Sequence, residues 1–256
     1  MARRDETPRA LDLLLVLGGA SRLAGQTVVR MVTPPFEGRE LLRQLDRIGV
    51  GSLNLTNITA LFTGMVLALQ TAYTLAAFGA ELYIGEVVTM ALVRELGPVL
   101  TALMVGGRVG SGIAAELGSM TVTEQVDAMR SMAADPVRKL VVPRLWATLI
   151  ALPLLTILAD AMGVIGGLLI AVLQEGSTAT FYFQHAFRLL DFHDLASGLG
   201  KTLFFAFLIA VIGCHNGLEA RGGADGVGRA TTSTVYAAAI GVLVSDFFLT
   251  KLFLSL

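Results

Sequence analysis

The sequence predicts an all-α polytopic membrane protein. It carries an N-terminal interfacial helix, five transmembrane helices and one short cytoplasmic helix between the second and third span. Three observations lead there. The 256 residues are 54% hydrophobic and 15% charged, against roughly 45–50% and about 25% in soluble domains. Mean hydropathy is +0.72. The apolar residues fall into five long stretches with no alternating pattern, which excludes a membrane barrel. A soluble enzyme, a disordered chain and a nucleic-acid binder are excluded by the same composition. Nineteen Lys+Arg against twenty Asp+Glu leave a net charge of -1, so the position of the charges matters more than their sum. Cys214 is alone and makes no internal disulfide, and His185, His193 and His215 lack zinc-ligand spacing. No metal is expected.

The chain divides at about residue 50. Segment 1–50 is basic and mixed. Its apolar run 11–17 is too short to cross a bilayer and is interrupted by Asp12, although Arg3 and Arg4 ahead of it resemble a signal peptide without a cleavage site. Pro34-Pro35 breaks the segment. Leu41, Leu42, Leu45 and Ile48 then recur at helical spacing among Arg39, Arg43 and Arg47, the pattern of a helix lying in the membrane interface. Segment 51–256 holds the spans, at about 53–78, 87–117, 145–173, 195–217 and 232–254. Pro98 in the second and Pro153 in the third predict kinks or tilts.

Cations orient the spans. Arg3, Arg4, Arg9, Arg22, Arg30, Arg39, Arg43 and Arg47 precede the first. Arg130, Arg138, Lys139 and Arg144 follow the second, and Arg221 and Arg229 follow the fourth. The opposite loops, 79–86 and 174–194, hold only Arg188. The positive-inside rule places the N-terminus in the cytoplasm and the C-terminus outside.

The loop after the second span predicts a docking helix at about 121–134. Thr121-Val-Thr-Glu124 matches a capping box. Val126, Met129 and Met132 make an apolar face with Glu124, Asp127 and Arg130 between them, and Asp135-Pro136 ends the helix. Such a helix either lies on its own protein or on lipid headgroups, or inserts into a groove of a cytoplasmic partner, to which methionines adapt well.

These residues also carry a family likeness. Arg94-Glu-Leu-Gly-Pro98, Gly107-Arg-Val-Gly-Ser111, Ala115-Glu-Leu-Gly118, Thr123-Glu-Gln-Val-Asp-Ala-Met129, Val142-Pro-Arg144 and Arg229-Ala-Thr-Thr-Ser-Thr-Val235, in this order, resemble the MlaE family of ABC-transporter permeases. The likeness covers the chain from about Gly49 onward and is loose before it. It implies a homodimeric permease in the bacterial inner membrane that moves phospholipid between inner and outer membranes and so maintains outer-membrane lipid asymmetry. It implies a cytoplasmic ABC ATPase, a STAS-domain protein and an MCE-domain substrate-binding protein as partners. The chain itself then holds no cofactor, because ATP and Mg sit on the ATPase, and helix 121–134 becomes the coupling helix.

Within the spans, Arg94, Glu95, Arg108, Glu116, Asp160, Lys201 and Asp246 are ionisable, and such groups face the bundle interior. Arg94, Glu95, Lys201 and Asp246 lie at a common depth, roughly 10–12 Å from the outer end of their spans at about 1.5 Å per residue. They are expected to form one network, with Lys201–Asp246 as the preferred pair, serving either to hold register or to form a polar wall near a lipid headgroup. Arg108 and Glu116 share a face nearer the cytoplasm. The first span offers a greasy wall of Leu67, Leu69, Leu75 and Phe78 with polar points at Gln70, Tyr73 and Thr74, and the family likeness implies an outward-opening lipid cavity there.

Two motifs mislead. Gly198-Leu-Gly-Lys201-Thr202 looks like the end of a phosphate-binding loop, but position 195 is Leu and no strand precedes it. Asp225-Gly226 with Arg229-Ala230 resembles part of a phosphatidyltransferase signature with the Arg-Ala order reversed. Gly106 to Gly110 and Gly163 to Gly167 place small residues four apart, as helices in close contact do in lipid.

No catalytic residue is expected. The leading reading is a permease without an engine of its own. The alternative, an ion-gradient-driven secondary transporter or channel, would use the intramembrane charges but lacks the internal repeat common in such proteins. A lipid enzyme would have only His185, His193, Asp191 and Asp194 to work with.

Overall fold

The structure, a computed structural model, describes residues 9–33, 37–174 and 176–255. Arg3, Arg4 and Pro34-Pro35 lie outside them, as do the side chains of the 11–17 run. Among the described residues the chain is 89% helical, with no strand. Eight helices follow in order, with a 3-10 turn at Glu81–Tyr83 between the second and third: α1 (Arg9–Val32), α2 (Gly38–Ala76), α3 (Ile84–Val122), α4 (Gln125–Ser131), α5 (Val137–Leu173), α6 (Ala179–Ala186), α7 (Phe192–Leu218) and α8 (Gly223–Ser255). Five of these, α2, α3, α5, α7 and α8, are long and apolar enough to cross a membrane.

The chain passes back and forth, so α1, α4 and the α7–α8 turn share one end of the bundle and α6 caps the other. The expected interfacial helix and first span run on as one 39-residue helix, α2, joined through a π turn at Asp46–Val50. Its amphipathic start packs Leu41, Leu45 and the buried Ile48 inward and leaves Leu42 exposed. The 24 residues of α1 form a second helix at the same end, which the short apolar run did not signal.

The long helices are interrupted by π turns at Asp46–Val50, Leu92–Leu96, Gly106–Gly110 and Val137–Val141. Each inserts one residue per turn and shifts the face presented by everything beyond it. Each also contains a charged residue: Arg47, Arg94 with Glu95, Arg108, and Arg138 with Lys139.

Two groups of helices make the core. In the first, α2 lies along α5 with backbone nearly touching backbone. A Cβ on Gly64 would sit 1.9 Å from the Gly163 carbonyl oxygen, and one on Gly166 would sit 2.1 Å from that of Leu61. Removing the side chain is what lets the axes approach so closely in lipid, where burial of apolar surface supplies no force between helices. In the second, α7 and α8 pack on α3 through Phe205, Ile209, Val105, Val109 and Val242. Helix α3 therefore stands between the two groups. At the α6 end, Tyr182 inserts against Val88 and Gly167. Burial pushes its phenol up to about 12, partly offset by the neighbouring Thr89 hydroxyl.

Replacing Gly64 or Gly166 by Val should therefore force α2 off α5. The expected loss is about 1–3 kcal/mol or more, read as a lowered melting temperature of the purified protein in detergent. Gly107→Ala, where the added Cβ meets nothing within 4 Å, is the matched control and should leave the melting temperature unchanged.

Candidate functional site: a buried lysine and a docking hairpin

Lys201 is 1% exposed in the middle of an apolar bundle. An ammonium there demands partners, because leaving water costs several kcal/mol. Three local features of the sequence supply them. Pro98 has no N–H, so the Arg94 carbonyl one turn earlier lacks its helical donor; Lys201 Nζ donates to that oxygen at 3.2 Å. The π turn at Leu92–Leu96 turns Glu95 inward, and Nζ donates to its Oε2 at 2.6 Å. Gly198, one turn before Lys201, lets α7 press against the same turn: a Cβ there would lie 2.4 Å from the Val93 carbonyl oxygen. The glycines that imitate a nucleotide-binding loop thus serve helix contact.

Helix α8 completes the cage. Thr250 Oγ1 lies 2.7 Å from Lys201 Nζ and 3.2 Å from each Glu95 oxygen, and Asp246 Oδ1 lies 3.3 Å from Nζ. The expected pair Lys201–Asp246 is present, but Glu95 is the closer anion. The sequence alone does not single out Thr250; its signal is the i+4 spacing from Asp246, which puts both on one helix face. Arg94 departs from the expected foursome. Its side chain turns away to Asp194, with Nε 2.7 Å from Oδ1, and it contributes only its carbonyl to Lys201. Asp194 also accepts from the Asp191 N–H at 3.1 Å, so the same carboxylate starts α7 and pairs with Arg94.

A second set of charges sits toward the α4 end. Glu116 Oε2 accepts from Arg47 Nη1 at 2.6 Å and lies 3.1 Å from Nη2 of Arg144, tying α2 and α5 to α3. Arg108 donates to Ser52 Oγ at 2.8 Å. Arg108 and Glu116 therefore each bind α2 from the one face of α3 that their spacing gave them.

The docking helix is shorter than expected. It runs over Gln125–Ser131, where 121–134 was predicted, and the capping box is absent. Thr121 still belongs to α3 and its hydroxyl donates to the Leu117 carbonyl at 2.8 Å. Glu124 holds a left-handed φ of 60°, which turns the chain sharply into α4. Asp135-Pro136 does not end α4 either. The helix stops at Ser131, Ala133 adopts φ 56°, and the Asp135 carboxylate accepts from the Val137 N–H at 3.0 Å, starting α5. The apolar face is corrected as well. Val126 is 2% exposed and anchors α4 to its own protein, Met129 is half-buried and Met132 is 73% exposed. The surface left free is Glu124, Asp127, Arg130 and Met132, with Arg130 paired to Asp127 at 2.8 Å. Behind this hairpin, Arg30 of α1 forms an ion pair with Asp135, and Arg138 donates to the Thr33 carbonyl at 2.9 Å.

The residues offered as a lipid wall are divided by the fold. Gln70, Tyr73 and Thr74, with Leu69 and Gln174, line an open hollow of about 690 Å³ near the α6 end. Leu67 and Leu75 instead pack inward with Ile84 and Val88, and Phe78 lies beyond α2, 80% exposed and not among the residues lining that hollow.

Removing the counter-charge of two carboxylates is the costliest single change in the cage. Lys201→Met should lower the melting temperature more than Asp246→Asn. A double-mutant cycle of Glu95→Gln with Lys201→Met should return a coupling of about 1–3 kcal/mol.

Comparisons with known proteins point to one family. Residues 41–252 match the family described as Permease MlaE. The chain is 42% identical to a "Probable ABC transporter permease protein" of Rickettsia felis, over 96% of this chain and 95% of the relative. It is 40% identical to the "Intermembrane phospholipid transport system permease protein MlaE" of Haemophilus influenzae, over 83% and 82%. It is 38% identical to "Protein TRIGALACTOSYLDIACYLGLYCEROL 1, chloroplastic" of Arabidopsis thaliana, over 90% of this chain and 66% of the relative. With five long apolar helices and a family match over most of its length, the chain belongs to the MlaE permease family.

Proposed function

We propose that this chain is the phospholipid-moving permease subunit of an ABC transporter, working as a homodimer in the inner membrane with ATP hydrolysed by a separate subunit. The observation that carries the reading is α4. Seven residues stand outside the bundle on a sharp turn, anchored by one buried valine, with a short charged face and Met132 left free. A rigid prong of this kind suits a groove on a cytoplasmic ATPase. Its anchoring to α3, to α5 through Asp135 and to α1 through Arg30 gives a push on α4 a direct path into the bundle. In this reading α4 lies in the cytoplasm and α6 in the periplasm, in line with the basic residues at the α4 end. The family likeness supplies the STAS-domain and MCE-domain partners and the task, lipid movement between two membranes that preserves outer-membrane asymmetry. The Lys201 cage, through the Glu95 carboxylate on its partly exposed side, serves as the polar wall for a lipid headgroup, and the hollow by Gln70, Tyr73 and Thr74 forms part of the greasy wall.

Co-purification with the neighbouring gene products tests the proposal. Arg130→Glu with Met132→Asp should release a co-expressed ATPase while the chain still elutes as a folded species. Val126→Asp should lose the fold itself, since it buries a charge. ATP-dependent transfer of labelled phospholipid in proteoliposomes should require the ATPase. Transport by the lone chain under a proton gradient would overturn the reading.

A further inference from the structure

Of the ionisable residues singled out within the spans, Asp160 is left out of both charge networks. It makes no hydrogen bond or ion pair among the described residues, and its Oδ1 is buried. It also sits deep. Leu173, the end of α5, is 13 residues further on, which at about 1.5 Å each puts Asp160 roughly 20 Å from that end. An unpaired carboxylate at such depth is costly and calls for a counter-charge.

The packing of three helices leaves a small cavity at this carboxyl. Gly97 makes room for it on α3, because a Cβ there would overlap Asp160 Oδ1. Thr101, one turn on from Gly97, lines the cavity from α3, and Thr56, Thr59 and Thr63 line it from one face of α2. The cavity measures about 10 Å³, room for one water-sized guest. Three of the hydroxyl protons are already spent. Thr56 donates to the Ser52 carbonyl at 3.1 Å, Thr59 to that of Leu55 at 2.8 Å and Thr63 to that of Thr59 at 2.8 Å. Oxygen lone pairs are what these threonines have left to offer. Among the described residues no cationic side chain lines the cavity. The two arginines of α3 are engaged elsewhere, Arg94 with Asp194 and Arg108 with Ser52.

We propose that Asp160, with the threonines of α2 and α3, is a site for one dehydrated monovalent metal cation, which joins α5 to α2 and α3 in mid-membrane. The site goes beyond the permease reading and does not depend on it. Ligand chemistry selects the occupant. Carboxylate and hydroxyl oxygens suit a hard cation. The zinc-ligand spacing that the chain lacks has no bearing on such a site. One carboxylate among neutral oxygens balances a single charge, whereas a divalent ion would carry an uncompensated charge into hydrocarbon. A water would meet some of the acceptors and leave the carboxylate charge standing. A proton on Asp160 would cancel that charge but make no use of the threonine oxygens or of the space beside them. Only a small cation answers the charge, the oxygens and the volume together.

Thermal melting of the full chain in lipid nanodiscs tests this, at equal concentrations of sodium, potassium or choline chloride. Sodium or potassium should raise the melting temperature by about 5 °C over choline. Asp160→Asn, whose amide brings its own donors, should melt at one temperature in all three salts. Thr63→Val should move the midpoint of the metal-ion effect to about tenfold higher concentration, and Thr63→Ser should restore it. Radiolabelled sodium bound to the native chain gives the stoichiometry, with one ion per chain expected where sodium is the stabilising salt. Should Asp160→Asn fail to fold, the Thr63 pair carries the test. No difference between the metal salts and choline, or an equal difference in a folded Asp160→Asn, would overturn the site. So would a metal-ion effect that Thr63→Val leaves in place. Melting that follows pH and ignores all three salts would assign a proton to Asp160 in place of the metal ion, and would overturn it too.

Discussion

A single buried ammonium organises the bundle. Lys201 on α7 can be dehydrated only because α3 offers a carbonyl and a carboxylate and α8 offers a carboxylate and a hydroxyl within reach of one nitrogen. Lipid supplies no hydrophobic force between helices, so packing and polar contacts must decide which helices meet. Moving any of the three helices by a turn would strand at least one charge in hydrocarbon. The cage therefore sets the register of α3, α7 and α8, much as the glycine contacts set the spacing of α2 and α5.

The cage in turn depends on broken regularity in α3. A straight helix would keep the Arg94 carbonyl bonded and point Glu95 elsewhere. Pro98 and the π turn before it release the one and redirect the other. The pattern recurs: the π turns at Asp46–Val50 and Gly106–Gly110 direct Arg47 to Glu116 and Arg108 to Ser52. At these three sites a charged residue sits where the backbone has been made irregular and ties neighbouring long helices together. Movement of the helices relative to one another must break or carry these ties as units.

The end bearing α4 is built differently. Its contacts include partly exposed ion pairs, Arg30 with Asp135 and Arg47 with Glu116, beside the buried Arg144 that shares Glu116. Exposed pairs contribute little stability and exchange readily.

Much of this was legible in the residues alone. Five spans, all-helical class, the small-residue contact sites and the meeting of Lys201, Glu95 and Asp246 follow from hydropathy, spacing and the cost of charge in lipid, which act on any single helix regardless of its neighbours. What needed the tertiary structure was every decision about direction. Thr121 satisfies the consensus of a cap yet continues α3, because the chain turns at Glu124 in a left-handed conformation that no motif announces. Val126 looks like the tip of a docking face yet is the anchor, because periodicity locates an apolar face but not what covers it. Arg94 and Glu95 are neighbours in sequence at one depth, and only the π turn and the arrival of α7 sent one to Asp194 and the other to Lys201.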